Sequence, residues 1–160
     1  MKKMTSRGEE MYSSDVFQIL FEYEISRSRR YPAPLALLQI EMTPTAMGTE
    51  SLQAASAVFA SALNAHLRSV DIPSKAGNIF MALLPYSDEH GARAVCERLL
   101  SIFKNKFESQ SNVPVAFSLQ IGATAHVGGA SISNEELLQK AEEALKQSKL
   151  KGPNTFVVLT

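Results

Sequence analysis

The eight residues Leu35 to Met42 (LALLQIEM) form an apolar run of strand length with little alternation between apolar and polar positions. A strand of that kind has to be covered on both faces, so the chain needs helices packed on each side of a sheet. The flanking sequence supplies them. Asp15 or Ser14 caps a first helix running to about Arg30, with Phe17, Leu20, Phe21 and Ile25 at helical spacing, and Pro32 and Pro34 stop it. Pro44, Thr45 and Gly48 mark a short loop, and Thr49 or Ser51 opens a second helix that ends near Arg68. Its buried stripe is Leu52, Ala55, Phe59, Leu63 and Leu67.

Ile72 to Leu84 reads as a hairpin turning near Ala76-Gly77-Asn78, closed by Pro85. Ser87 starts a third helix, with Val95, Leu99, Ile102 and Phe103 facing inward. Val113, Val115, Phe117, Leu119 and Ile121 alternate with smaller or polar residues, the period of a strand. Ser133 and Glu136 form a capping box for a fourth helix that ends before Gly152 and Pro153, and Phe156 to Leu159 is a last strand. The expected fold is α/β (α+β): a single mixed, mainly antiparallel five-stranded sheet covered by helices. Residues 1–13 are expected to be a flexible tail and 14–160 the domain.

Composition excludes several classes of function. Sixteen basic residues balance sixteen acidic ones, so no global field steers the chain to nucleic acid or an anionic membrane. No apolar run is long enough to span a bilayer, and the start has no apolar stretch of a secretory signal. One cysteine, Cys96, cannot make an internal disulfide, and a cytoplasmic setting is expected. Cys96 lies on the inward side of its helix and reads as inert core. His66, His90 and His126 are scattered without metal-ligand spacing, so neither metal nor cofactor is expected. Gly128-Gly129 reads as a flexible connection rather than a phosphate loop. Arg27, Arg29 and Arg30 read as a solvated helix end or a docking patch.

Four ordered stretches carry a resemblance: FEYEISRSRRYPAPLALLQIEM (21–42), LRSVD (67–71), AGNIFMALLP (76–85), and SLQIGA (118–123) followed by AEEALKQSKLKGPN (141–154). Together they resemble GGDEF domains, the diguanylate cyclase family of bacterial cyclic di-GMP signalling. The resemblance implies a palm-like fold related to nucleotidyl cyclases. It also implies a degenerate member that is not an enzyme. The family's entry motif before the first helix is absent, and the segment between Thr45 and Leu52 is too short to supply the base-recognising Asn and Asp. The signature reads Ala76-Gly77-Asn78-Ile79-Phe80, so its two acids fall on Asn78 and Ile79. The metal-binding acid of the first strand falls on Glu41 and the second acidic position on Thr43. Lys149 matches a phosphate-assisting lysine, although a solvated lysine in a last helical turn explains it as well.

The resemblance further implies an inhibitory-type site for cyclic di-GMP. Arg68-Ser69-Val70-Asp71 matches the family's RxxD motif, Arg98 falls on its assisting arginine, and Arg93 lies one residue out of register with another. A carboxylate can accept two hydrogens from a guanine edge, and a guanidinium can bond the O6/N7 edge or a phosphate. The hairpin is one residue shorter between Asp71 and Ala76 than is usual in the family. The bland alternative is a helix-ending arginine with a surface partner. Two expectations follow. One is a non-catalytic cyclic di-GMP receptor, the ligand bound as an intercalated dimer that can bridge two chains and act on a partner protein. The other is a ligand-independent interaction scaffold, docking a partner or a second copy through the first helix or the face bearing Ile79 and Met81.

Overall fold

The computed structural model describes residues 11–44, 49–107 and 117–160. Four helices and five strands follow one another as α1 (Ser14–Arg30), β1 (Leu35–Pro44), α2 (Thr49–His66), β2 (Ile72–Ala76), β3 (Ile79–Pro85), α3 (Glu89–Phe107), β4 (Phe117–His126), α4 (Asn134–Lys151) and β5 (Thr155–Leu159). The strands make one sheet in the order β2-β3-β1-β4-β5. β1 runs antiparallel to β3 and β4, β2 is antiparallel to β3, and only β4 and β5 are parallel. The mixed, mainly antiparallel sheet with helices on both faces is the architecture the sequence called for.

β1 explains why its sequence does not alternate. Ala36, Leu38, Ile40 and Met42 enter one core with Ala55, Phe59 and Leu63 of α2 and Cys96, Leu99 and Phe103 of α3. Leu35 and Leu37 enter a second core with Phe17, Phe21 and Ile25 of α1 and Leu137 and Ala141 of α4. Successive side chains of a strand point to opposite faces. A strand sandwiched between two helix layers therefore has to be apolar at both parities.

Several boundaries move from their sequence positions for local reasons. The α1 cap is Ser13, whose Oγ accepts from Val16 N at 3.3 Å, so Ser14 and Asp15 lie inside the helix. Met11 to Ser13 are part of the folded structure: Tyr12 N donates to Pro73 O at 3.1 Å and Tyr12 bridges Ser74 in parallel. α2 ends at His66, two residues before Arg68. α3 starts at Glu89 because Asp88, not Ser87, takes the capping bond, its Oδ1 accepting from Gly91 N at 2.9 Å. β4 continues to His126, held between β1 and β5, whereas Val113 and Val115 lie outside the described residues. Ser133 caps α4 by accepting from Glu136 N at 3.3 Å. The Glu136 carboxylate pairs with Lys140 at 3.4 Å.

Gly122 fixes how closely α4 approaches the sheet. A Cβ at this position would lie 2.1 Å from Leu145 N and 2.4 Å from Ala141 O, both backbone atoms that have no rotamer to change. Glycine therefore lets the helix backbone rest directly on β4. Gly122→Ala is expected to destabilise the domain by about 3 kcal/mol, the range of overpacked cores. The denaturant midpoint should fall at unchanged m-value, as measured by urea unfolding followed by circular dichroism.

Candidate functional site

The two stretches singled out by the sequence lie near opposite ends of the sheet. At one end, β2 and β3 are joined through Gly77 and Asn78, with Ala76 paired to Ile79. Gly77 takes φ +66°, a conformation glycine adopts without penalty, at the first of the two turn positions. Asn78 then stitches the turn to β1: its Nδ2 donates to Met42 O at 2.8 Å, and Met42 N donates to Asn78 O at 3.1 Å. Phe80 points into the α2/α3 core and packs edge-on against Phe59, ring centroids 5.2 Å apart. Ile79 is half-buried on the other face. With Phe17, Ala76, Met81 and Leu138 it lines a small cavity of about 140 Å³.

Glu41 is the register neighbour of Ile79 and points to the same face. Its carboxylate pairs with Lys149 Nζ of α4 at 2.5 Å. Lys149 is thus not simply a solvated last-turn lysine; it neutralises the acid of β1. Thr43 Oγ1 donates to Gln120 Oε1 at 3.3 Å, and Gln120 Nε2 donates to Ser118 Oγ at 3.1 Å. The polar side chains of this end thus satisfy one another. Among the described residues no three His, Cys, Asp or Glu side chains gather as metal ligands.

Arg68 and Asp71 sit near the other end, where α2 passes into β2. Asp71 is only 3% exposed, so it is not the surface partner that the bland reading of the motif supposes. Its Oδ2 accepts from Arg68 N at 2.8 Å and from Arg68 Nε at 3.3 Å, and its Oδ1 accepts from Arg68 Nη2 at 2.7 Å. The same Nη2 donates to Pro85 O at 2.7 Å and to Ser87 Oγ at 3.1 Å. One guanidinium therefore links the end of α2, the start of β2, the end of β3 and the approach to α3. Arg68 remains about half exposed, and Nη1 lies outside these bonds.

Arg98 comes to the same place from α3, its Nη2 donating to His66 O at 3.4 Å. Arg93 does not. It pairs with Glu89 at 3.5 Å and lies 5.7 Å from the ring centroid of Phe156 on β5, the far edge of the sheet from β2. The fold thus gathers Arg68, Asp71 and Arg98 and leaves Arg93 on the opposite flank of α3.

Tyr86, between the two groups that accept from Arg68, carries no sequence signal. It takes φ +62° although it is a bulky L-residue, and the residue is 59% exposed. Tyr86 N donates to Pro34 O at 2.8 Å, and the Arg27 guanidinium both bonds the phenol oxygen and lies 4.5 Å from the ring centroid. Nothing in LPYSDEH announces a left-handed tyrosine. Only the geometry reveals it.

Gly128-Gly129 is a tight junction rather than a flexible connection. Gly128 has φ +96° and packs so closely that a Cβ would lie 2.5 Å from Ala33 N and O. Gly128 N donates to His126 Nδ1 at 2.8 Å and Gly129 N to Ser28 O at 3.0 Å, so neither amide is left to face an anion. His90 and His126 line an open pocket of about 530 Å³ beside Asp88, Glu89 and Arg93, while His66 is exposed at the end of α2. Burial pushes the Cys96 thiol up from 9.0 to about 12, which leaves it protonated and unreactive at neutral pH. Arg29 Nη2 donates to Ile132 O at 2.9 Å, so this end of α1 is tied to the α4 approach rather than simply solvated.

A mixed sheet with α2 and α3 on one face and α1 and α4 on the other, its signature turn stitched to the central strand, defines a palm-like α/β domain. The family model described as "Diguanylate cyclase, GGDEF domain" matches residues 46–155, and the chain belongs to the GGDEF family. Solved structures agree in fold. The diguanylate cyclase SiaD of Pseudomonas aeruginosa, in complex with its activator SiaC, is similar at TM-score 0.81 and 19% identity over 93% of this chain and 59% of SiaD. The GGDEF domain of DgcB from Caulobacter crescentus, in complex with c-di-GMP, is similar at TM-score 0.77 and 14% identity over 99% of this chain and 94% of that domain. The FimX GGDEF domain from Pseudomonas aeruginosa is similar at TM-score 0.72 and 18% identity over 93% of this chain and 94% of FimX's. This chain thus spans less than two thirds of the length of SiaD. No curated protein sequence matches it. No helix among the described residues is long and apolar enough to cross a membrane.

Removing the Arg68 side chain would leave a buried carboxylate short of its main donors, which is costlier than losing an exposed pair. Because Arg68 itself is half exposed, Arg68→Ala is expected to cost roughly 2 kcal/mol rather than the full penalty of a buried pair. Thermal unfolding of Arg68→Ala beside Asp71→Asn checks this. An unchanged midpoint in both variants would exclude the latch.

Proposed function

We propose that this chain is a non-catalytic member of its family that binds cyclic di-GMP at Arg68 and Arg98 and signals through protein contacts. The observation that carries the reading is the gathering of Arg68, Asp71 and Arg98 around one helix end. Asp71 serves the site by orienting Arg68, since both of its oxygens are taken up by that arginine. The guanidinium, fixed through Nε and Nη2, keeps Nη1 for a guanine acceptor or a phosphate oxygen, and Arg98 adds a second cation. Arg93, the fourth residue implied by the family resemblance, is too far round α3 to join them.

Loss of catalysis is supported at the other end of the sheet. A divalent ion over a triphosphate needs hard anionic oxygens. The donor set there does not fit one: Asn78 is neutral with its amide nitrogen bonded to Met42 O, Ile79 is apolar, and Glu41 is paired with Lys149. No step of GTP chemistry is derived through such a metal. The ligand class follows from the family and from relatives such as DgcB, solved with c-di-GMP. An intercalated ligand dimer on a single chain would give two ligands per chain, and one dimer bridging two copies would give one ligand per chain with a doubled protein mass.

The second reading is a ligand-independent scaffold. The apolar cavity formed by Ile79, Met81, Ala76 and Phe17 beside the signature turn favours it. A partner complex in pull-down that ignores added nucleotide would support it.

Isothermal titration with cyclic di-GMP separates the readings. Micromolar or tighter binding is expected, weakened about ten- to a hundredfold in Arg98→Ala, as for loss of a charge-assisted bond. Arg98 is the better probe because it is exposed, so folding is preserved. GTP with magnesium or manganese is expected to give no labelled cyclic di-GMP. Product above background would overturn the non-catalytic assignment, and absence of binding by folded protein would leave the scaffold.

A further inference from the structure

Helix α1 buries one side and presents a second apolar stripe on the other. Its 17 residues place Phe17, Phe21, Ile25 and Ser28 against the fold. At about 100° per residue, Ile19, Tyr23, Ser26 and Arg30 point the opposite way, with Asp15 and Val16 beside them. Ile19 and Tyr23 are each 65% exposed. Tyr31 follows the helix, also exposed, and the Tyr86 ring flanks the same face, held there by Arg27. A single exposed apolar residue is ordinary, but a contiguous stripe of aliphatic, tyrosine and arginine side chains has the composition of a protein interface.

The order of charges along this face selects its occupant. Asp15 stands in the first turn and Arg27, Arg29 and Arg30 in the last, placements that suit the helix dipole. Arg27 is taken up by Glu24 and Tyr86, and Arg29 by Ile132 O. Among the described residues neither Asp15 nor Arg30 has an ion-pair partner, Arg30 lying 5.8 Å from the Tyr31 ring centroid. Along the axis Asp15 lies about 12 Å before Tyr23, and Arg30 about 10 Å after it. A second α1 laid antiparallel about a two-fold axis at Tyr23 therefore sets Asp15 of each copy opposite Arg30 of the other. The same operation brings the two Tyr23 rings together, lays each Ile19 against Ser26 and the Arg27 stem, and opposes the helix dipoles. A parallel pair would set like charges together at both ends. An all-acidic partner would satisfy Arg30 and repel Asp15, whereas the antiparallel helix carries the charge order that suits both. We propose that this face is a self-docking surface through which two copies of the chain pair by antiparallel α1 helices. The contact needs no nucleotide and is independent of any ligand at Arg68 and Arg98.

Sedimentation equilibrium of the full chain without nucleotide tests the pairing. One helix pair with flanking tyrosines is a small interface, so a dimer with Kd on the order of 10 to 100 μM is expected. Tyr23→Asp and Arg30→Asp should each weaken it about tenfold or more, and circular dichroism should show both folded, because both side chains are exposed. Asp15→Arg combined with Arg30→Asp restores opposite charges across the axis and should pair more tightly than Arg30→Asp alone. Tyr23→Cys, on the axis, should oxidise in air to a disulfide-linked dimer far faster than Leu150→Cys, an exposed position on α4, while the buried Cys96 takes no part. A wild-type chain still monomeric at about 1 mM would overturn the proposal. So would a dimer that Tyr23→Asp and Arg30→Asp leave unchanged, since another surface would then hold it. Equal cross-linking of the two cysteine variants would rule out the antiparallel register whatever the charge variants do to the helix.

Discussion

Strand β1 has to satisfy two helix layers at once, and the way it does so determines where chemistry can sit. On the face toward α2 and α3 it is apolar throughout, from Ala36 to Met42. On the face toward α1 and α4 it is apolar only at its start, with Leu35 and Leu37, and then turns polar at Gln39, Glu41 and Thr43. β4 follows the same gradient, Gly122 giving way to Gln120 and Ser118, whereas β3 stays apolar on this face through Leu83, Met81 and Ile79. α4 lies against the Gly122 backbone. Helix cover and polar strand ends are therefore two consequences of one register, and slipping β1 by a single residue would exchange them.

That polar end is internally balanced. Glu41 has Lys149, Asn78 has Met42, and Gln120 has Thr43 and Ser118. Buried and half-buried polar groups need partners, and the Glu41–Lys149, Asn78–Met42 and Gln120–Thr43 pairs each join two elements of the fold. Residues that the family resemblance sets at catalytic positions tie turn to strand and strand to helix. The opposite end is organised differently. Arg68 uses its Nε and Nη2 to hold α2, β2 and β3 together while remaining half exposed, so the binding role proposed for it would draw on a different donor of the same planar group.

Legibility in the sequence followed the range of the interactions. Helix caps, prolines and periodicity are local, so the elements and their order could be read, with boundary errors where a neighbouring residue offered a better cap, as Ser13 and Asp88 do. The RxxD motif and Arg98 were legible as a resemblance, and the fold does bring them together. What could not be read depends on contacts distant in the chain. The Glu41–Lys149 pair joins β1 to α4, and Gly128 is dictated by the Ala33 backbone. Arg93 lies apart from Arg98 because five residues carry α3 through about 1.4 turns, a net offset of about 140°, and a register off by one cannot be corrected without knowing which flank faces α2. Tyr86 was missed because a left-handed backbone at a tyrosine runs against local preference, and local preference is all that a single sequence displays.

A site built on a latch has a mechanical consequence. Arg68 is bonded to groups from the β2 and β3 ends and from the approach to α3, while Arg98 bonds the last turn of α2. A ligand that bonds both arginines therefore adds contacts across the same junction that the apo protein already closes. It can shift that junction only by as much as its affinity differs between arrangements. Three donors from Arg68 already meet Asp71, so the junction is well formed and a ligand there would mainly reinforce it. Under the ligand reading proposed above, what a partner would sense is nucleotide covering the charged surface at Arg68 and Arg98, rather than a large rearrangement of the sheet.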